Sequence, residues 1–121
     1  HTANRRQRQM CIRDSTYNGP KITQEKIEAL KYYNRPIICT EYLARENGST
    51  FEAILPIFKA NQISAINWGF VSGKTNTIFP WISWIKKYDS LPKIWHHDIY
   101  RKDKSPFSKK EVAFIKDQLI N

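Results

Sequence analysis

The chain has 121 residues, of which 40% are hydrophobic, and this is enough for one small domain with a real core. No apolar run approaches the ~18 residues that a membrane-spanning helix needs, so a membrane protein is not expected. The formal net charge of +9 by itself suggests a nucleic-acid or anionic-surface partner.

The first 14 residues carry part of this charge. Residues 5–14 back-translate into the DNA string of a transposase adapter used in preparing sequencing libraries, so residues 1–14 are predicted to be a non-native, disordered segment. A native, disordered basic arm is the alternative. Without this segment the formal charge falls to +6 and Cys39 is the one cysteine left, which makes neither a disulfide framework nor a metal site.

Helices and strands alternate after this segment. The first helix is predicted to begin at an N-cap, Thr23, and to bury Ile27 and Leu30. Residues 36–40 are a short apolar run that is typical of a strand buried on both faces, and Glu41 follows its end.

A second helix is predicted to open at a capping box formed by Ser49 and Glu52. Pro56 lies inside its pattern and should kink the helix or split it in two. A second strand is predicted over residues 63–69, where the end again turns polar and aromatic. The apolar residues of this second helix fall on one of its faces: Phe51, Ile54, Leu55 and Phe58.

Residues 71–98 follow neither the helical nor the strand period. A segment of this length without regular structure is usually functional, and this one is rich in aromatic residues. Residues 99–107 are predicted to form a hairpin, and Ser108 with Glu111 predicts the cap of a last helix. Three residues of that helix are predicted to face inward: Val112, Ile115 and Leu119.

The order of elements predicts an α/β fold with a parallel sheet. Ligands of such folds bind at the carboxyl ends of the strands, where Glu41 and Trp68 would be neighbours. A carboxylate beside an indole suits sugar chemistry, because the carboxylate can attack an oxocarbenium-like centre while the ring packs against a pyranose. Two structural alternatives stay open: Glu41 only pairs with Arg45 at the rim, and Trp68 is a core residue that covers it.

The residues at the two strand ends also resemble a known family. Residues 35–42, with Asn67-Trp68-Gly69 about one βα unit later, are similar to the last quarter of a clan-A retaining glycoside hydrolase, above all the family-5-like β-glycanases of the cellulase and xylanase type. The resemblance covers residues 17–115 and implies a (β/α)₈ TIM barrel, of which this chain would supply about the sixth to the eighth helix. It extends through the long loop at residues 73–77, 80–81 and 95–99.

The resemblance implies a role for each matching residue. Glu41 matches the catalytic nucleophile, and Trp68 matches the tryptophan that stacks on the sugar in the cleaved subsite. Tyr17 resembles the tyrosine that hydrogen-bonds the nucleophile. Asn67 and Trp81 are implied to support or contact the substrate.

Two residues depart from the family's pattern. Lys104 stands where relatives commonly have a turn glycine, and Ile82 stands where a polar residue is expected. Both lie in loops, so these departures bear on the shape of the loops and leave the strand ends unaffected.

The implied reaction is hydrolysis of O-glycosidic bonds in a polysaccharide or oligosaccharide, with retention and without a cofactor. Retention needs two carboxylates ~5 Å apart, and the family's acid/base glutamate ends the fourth strand, which this chain does not contain. The chain alone is therefore not expected to turn over substrate. A non-catalytic carbohydrate-binding barrel is the alternative function, and a nucleic-acid partner is not expected. The family resemblance implies a secreted or periplasmic protein.

His96 and His97 could suggest a metal site. Adjacent histidines on an extended segment point to opposite faces, however, so both cannot ligate one ion without a tight bend. We therefore expect a structural role, with one ring hydrogen-bonded and the other solvated, and no metal.

Overall fold

The helices and strands in the part of the chain that the structure describes are three α-helices and a small parallel sheet. The computed structural model describes residues 17–120, so the prediction for residues 1–14 lies outside the described part. The two strands pair in parallel, as predicted, with Ile38 opposite Ser64 and Cys39 opposite Ala65. The elements are α1 (Pro20–Lys31), β1 (Ile38–Cys39), a 3₁₀ turn (Arg45–Asn47), α2 (Phe51–Ala60), β2 (Ser64–Ala65), a second 3₁₀ turn (Trp81–Trp84) and α3 (Lys109–Leu119).

Helix α1 begins earlier than predicted. Its N-cap is Gly19, and Pro20 occupies the first helical position, where the missing N–H of proline would have no helical partner in any case. Thr23 is buried within the first turn, and its hydroxyl donates to the Gly19 carbonyl (3.1 Å). The prediction of Thr23 as the N-cap was therefore wrong, whereas Ile27 and Leu30 are buried as predicted.

Helix α2 is capped by Thr50, one residue after the predicted cap. The Thr50 hydroxyl accepts from the Ala53 N–H (3.2 Å). Ser49 cannot cap the helix, because its backbone is paired with Ala44 in an antiparallel bridge and its buried hydroxyl donates to the Tyr42 carbonyl.

Helix α2 also runs unbroken through Pro56, so of the two predicted outcomes the split was wrong, and the kink stays a prediction. Pro56 is exposed, and on that side of a helix a carbonyl left without its helical donor can bond to water. The predicted apolar face is confirmed, since Phe51, Ile54 and Phe58 are buried.

The strands are shorter than predicted, and only one face of the sheet is covered. Cys39 is buried in the core, whereas Ile38 exposes 51% of its surface on the other side. The prediction of a strand buried on both faces was therefore wrong for the described chain, because the helices pack on one side only. Two strands are compatible with a barrel segment and with an open sheet, so the barrel stays a prediction.

Helix α2 lies at the centre of the packing and contacts α1, α3 and β2. Ser108 caps α3 as predicted, accepting from the Glu111 N–H (3.2 Å). Leu119, which was predicted to face inward, is exposed in the last turn of α3. The buried core comprises Ile27, Cys39, Tyr42, Leu43, Phe51, Ile54, Phe58, Ile63 and Ile99.

The predicted hairpin is present before α3. Tyr100 and Pro106 form an antiparallel bridge, and the Lys104 N–H donates to the Arg101 carbonyl in the turn (2.9 Å). Lys104 has a φ of +70°, a left-handed conformation that glycine adopts most easily, which explains the glycine that the resemblance led us to expect there. Over residues 17–120, no helix combines the length and hydrophobicity needed to cross a membrane.

Candidate active site

Glu41 lies just past the carboxyl end of β1 and is held by Tyr17. The Tyr17 hydroxyl donates to Glu41 Oε2 at 2.7 Å, across a separation of 24 residues. Tyr17 is buried and Glu41 is half-buried. The hydrogen bond that the resemblance implied is therefore present. A hydrogen bond to a carboxylate is shorter and stronger than one between neutral groups, so it orients the Glu41 side chain firmly.

The Trp81 ring packs against the Tyr17 ring. The two rings meet edge-on, with centroids 4.9 Å apart, and Trp81 makes a second edge contact with His96 at the same separation. Trp81 is half-buried at the start of the second 3₁₀ turn. Tyr17 therefore contacts both Glu41 and Trp81. A contact between Trp81 and substrate stays a prediction.

His97 also packs on Tyr17, and the sequence analysis did not identify it as part of this site. Its ring lies 5.7 Å from the Tyr17 ring, and its Nδ1 contacts the Leu43 carbonyl. A carbonyl can only accept, so Nδ1 carries the proton and Nε2 carries none in the neutral ring. Burial lowers the pKa of His97, although the Leu43 carbonyl, Asp98 and Glu41 act in the opposite direction. His97 is therefore neutral near pH 7.

A buried arginine holds the segment that carries His97. Arg45 forms a bidentate pair with Glu111, with Nε–Oε2 and Nη2–Oε1 distances of 2.9 and 2.6 Å. Its guanidinium also donates to the carbonyls of Trp95 (3.0 Å), His97 (2.7 Å) and Asp98 (3.0 Å), so all five of its N–H groups are used. The alternative in which Glu41 only pairs with Arg45 is therefore wrong.

The same arginine determines the path of residues 95–98. Its backbone N–H donates to the His96 carbonyl (3.1 Å), so Arg45 binds the carbonyls of all four residues in this segment. On the other side, the N–H groups of His96 and His97 donate to the carbonyls of Ile78 (2.9 Å) and Thr77 (3.2 Å). Arg45 thus positions His97 beside the Tyr17 ring.

Trp68 follows β2, which ends at Ala65, and lies on a tight turn. Asn67 supports this turn, since its amide donates to the Gly69 carbonyl. Gly69 has a φ of +87°, and a Cβ there would lie 2.7 Å from Asp98 Oδ1, so only glycine fits without a shift. Asp98 is itself fixed by the Thr77 hydroxyl, which donates to Oδ2. The turn that carries Trp68 therefore packs against residues 95–98.

The structure brings Tyr17, Glu41 and Trp81 into one cluster and leaves Trp68 outside it. Trp68 exposes 47% of its surface, which does not fit the alternative of a core residue. Within residues 17–120 its ring contacts neither Tyr17 nor Trp81. The parallel pairing of β1 with β2 is what puts Trp68 on the same edge of the sheet as Glu41.

Comparisons with protein-family models, with curated proteins and with solved structures found no match for this chain. In the part that the structure describes, no three His, Cys, Asp or Glu side chains converge as a metal site would require. The family assignment therefore stays a prediction that rests on the residues at the strand ends.

His96 is the polar side chain that the cluster leaves unsatisfied. It exposes only 1% of its surface, and neither ring nitrogen has a hydrogen-bond partner among the described residues. The expectation that one of the two histidines is solvated was therefore wrong. Burial, then the neighbouring His97 and Arg45, lower the pKa of His96 to about 4. The ring occupies a slot suited to an apolar aromatic side chain, edge-on to Trp81.

His96→Phe is therefore expected to stabilise the protein, by about 1–3 kcal/mol, because it removes two unpaired buried nitrogens and keeps the ring contact with Trp81. The wild-type protein should also lose stability as the pH falls from about 6.5 to about 4, because His96 binds a proton in the unfolded state before it does so in the folded state. This part of the pH dependence should disappear in the variant. Thermal unfolding of both proteins at about pH 5 and about pH 7 measures both effects.

His97→Phe is the matched control, because it removes a ring nitrogen that does have a partner, the Leu43 carbonyl. This variant should be less stable than the wild type at neutral pH. A His96→Phe protein that is less stable than the wild type at both pH values would show that the His96 nitrogens are satisfied in solution.

Proposed function

We propose that this chain is the C-terminal part of a retaining β-glycoside hydrolase that cleaves O-glycosidic bonds in a polysaccharide or oligosaccharide, with Glu41 as its nucleophile. The observation that carries the proposal is the 2.7 Å hydrogen bond from the Tyr17 hydroxyl to Glu41, at the carboxyl end of a parallel strand. This edge is where α/β enzymes place their chemistry.

In the proposed first step, Glu41 attacks the anomeric carbon of the sugar. Tyr17 holds Oε2, so Oε1 is the oxygen that forms the new bond to carbon. The bond from that carbon to the departing oxygen breaks with its electron pair going to oxygen, which takes a proton from a general acid. Water then attacks the same carbon while it gives a proton to the group that acted as the acid, and the bond from that carbon to Oε1 breaks, which frees the Glu41 carboxylate and gives a product with the original configuration.

Neighbouring groups support this role for Glu41. His97 is neutral near pH 7 because burial lowers its pKa, so its ring adds no fixed charge opposite the carboxylate. Trp68, on the next strand end, exposes an indole against which a pyranose can pack. The turn that presents it is supported by Gly69 and Asp98.

The second carboxylate of a retaining enzyme stands ~5 Å from the first. Two buried carboxylates of the described chain already have structural roles, since Glu111 binds Arg45 and Asp98 accepts from Thr77. The resemblance implies that the general acid/base ends the fourth strand, and we propose that it belongs to that part of the barrel in the full-length protein.

A covalent trap tests the proposal directly. A 2-deoxy-2-fluoroglycoside with a good leaving group slows the hydrolysis of the glycosyl ester, so the intermediate accumulates on the nucleophile. We expect the full-length protein to gain the mass of one fluorosugar, and peptide mapping to place it on Glu41. Label on another residue would contradict the assignment. Sugar binding with neither label nor hydrolysis would favour the non-catalytic carbohydrate-binding protein instead.

A further inference from the structure

Residues 95–98 contact both halves of the candidate site. On one side, the His97 ring packs against the Tyr17 ring, and the Tyr17 hydroxyl holds Glu41. On the other side, the segment packs against the turn that follows β2, since a Cβ on Gly69 would lie 2.7 Å from the nearest side-chain atom of the segment. A single segment of four residues therefore connects the side of the nucleophile with the side that carries the exposed indole.

The pairing of the two strands does not by itself fix the position of Trp68 relative to Glu41. Among the described residues, the last backbone bond between the two strand ends runs from the Ile66 N–H to the Cys39 carbonyl (2.8 Å). Trp68 lies beyond this bond. The Phe70 carbonyl then accepts from the two N–H groups that directly follow the 95–98 segment (3.0 and 2.9 Å). The position of Trp68 therefore depends on where this segment lies.

Arg45 fixes the segment. Its guanidinium binds three of the four carbonyls, at 3.0, 2.7 and 3.0 Å, and its backbone N–H binds the fourth, at 3.1 Å. The Glu111 carboxylate of α3 binds the same guanidinium through two hydrogen bonds. The five N–H groups of one rigid, planar group are thus divided between a helix and a loop, and a compact ammonium group could not replace it.

We propose that Arg45 is a positioning residue for the reaction: by fixing residues 95–98, it sets the distance between the Glu41 carboxylate and a sugar that packs on Trp68. This rests on the proposed function. Reacting atoms must stand about 3–3.5 Å apart before the attack, and a displacement of about 1 Å can cost about 10²-fold in rate. The Arg45 side chain exposes only 6% of its surface and all of its N–H groups are used, so it acts on the rate through the segment.

Arg45→Lys in the full-length protein tests the proposal. Lysine keeps a positive charge beside Glu111, but its three donors share one nitrogen and cannot reach that carboxylate and all three carbonyls. The probe is dinitrophenyl 2-deoxy-2-fluorocellobioside, or the corresponding xylobioside if that is the one that labels the wild type. We expect the rate constant for labelling of Glu41 to fall by about 10²-fold. Labelling is followed by mass spectrometry well below the melting temperature, where circular dichroism shows that both proteins are folded.

The double variant Arg45→Met with Glu111→Leu separates the rate from the stability. It lacks the guanidinium, as Arg45→Met does, but it leaves no charge buried and should therefore melt at a higher temperature than Arg45→Met. We nevertheless expect both variants to label equally slowly. A rate that follows the guanidinium while the melting temperature changes is the result that a purely stabilising role of Arg45 would not give.

Arg101→Met is the matched control. Its guanidinium lies over the Trp95 ring, 5.6 Å from the centroid, and donates to the Pro106 carbonyl in the hairpin. Arg101 thus contacts the segment through a side chain, whereas Arg45 binds its backbone. The Arg101→Met variant should label within about twofold of the wild-type rate.

Three results would overturn the positioning role and leave the proposed function intact. The first is wild-type labelling of Glu41 by Arg45→Lys. The second is a loss that disappears on cooling, as the folded fraction rises. The third is an equal loss in Arg45→Lys and Arg101→Met. A wild type that neither fluoroglycoside labels would instead overturn the proposed function itself.

Discussion

Glu41→Gln is expected to lower kcat of the full-length protein by about 10⁴-fold or more, while substrate binding stays within a few-fold. Glutamine keeps the shape of the side chain and can still accept from the Tyr17 hydroxyl, but it lacks the anion that forms the bond to the sugar. Steady-state kinetics gives the loss of turnover, and calorimetry with an oligosaccharide gives the binding.

Glu46→Gln is the control for this experiment. Glu46 lies on the 3₁₀ turn that follows the same strand, but it is exposed. The Glu46→Gln variant should keep near wild-type activity. That result would show that loss of one negative charge in this region does not by itself abolish turnover. Near wild-type turnover by Glu41→Gln would rule out Glu41 as the nucleophile.

Arg45→Met is expected to destabilise the full-length protein by about 3–5 kcal/mol, because it leaves the Glu111 carboxylate buried without its partner. It also removes three donors from the carbonyls of Trp95, His97 and Asp98. For a protein of barrel size this corresponds to a fall in melting temperature of roughly 10 °C. Differential scanning calorimetry measures the shift.

Two further variants separate a buried ion pair from a general charge effect. Lys31→Met breaks an exposed pair between Lys31 and Glu28 (3.1 Å) and should leave the melting temperature nearly unchanged. The double variant Arg45→Met with Glu111→Leu should recover part of the loss, because no charge is then left buried. Equal effects of Arg45→Met and Lys31→Met would show that the Arg45 pair is open to solvent.

The sequence by itself determined the features that local patterns encode. The apolar face of α2 follows from residues spaced at the helical period, and the Ser108 cap of α3 follows from one side chain and the N–H three residues later. The alternation of helices and strands also predicted the parallel pairing of β1 with β2. These signals span a few residues or one βα unit, so they can be recognised in the sequence without knowledge of the fold.

Local patterns were less reliable where two features competed for one residue. Ser49 has the spacing of a capping box, but its backbone pairs with Ala44, and the cap moves to Thr50. Thr23 looks like an N-cap, but Pro20 already starts the helix. In both cases the same side chain suits two local structures, and the surrounding structure selects one.

Only the tertiary structure decided how the site is built. Arg45 and Glu111 are 66 residues apart, and no local pattern indicates that an arginine after a strand will choose that partner over the nearby Glu41. The burial of His96 and His97 likewise depends on Trp81, Tyr17 and Arg45 converging from different parts of the chain. The energy of a buried charge or imidazole is set by whatever surrounds it in space, and chain order does not encode those surroundings.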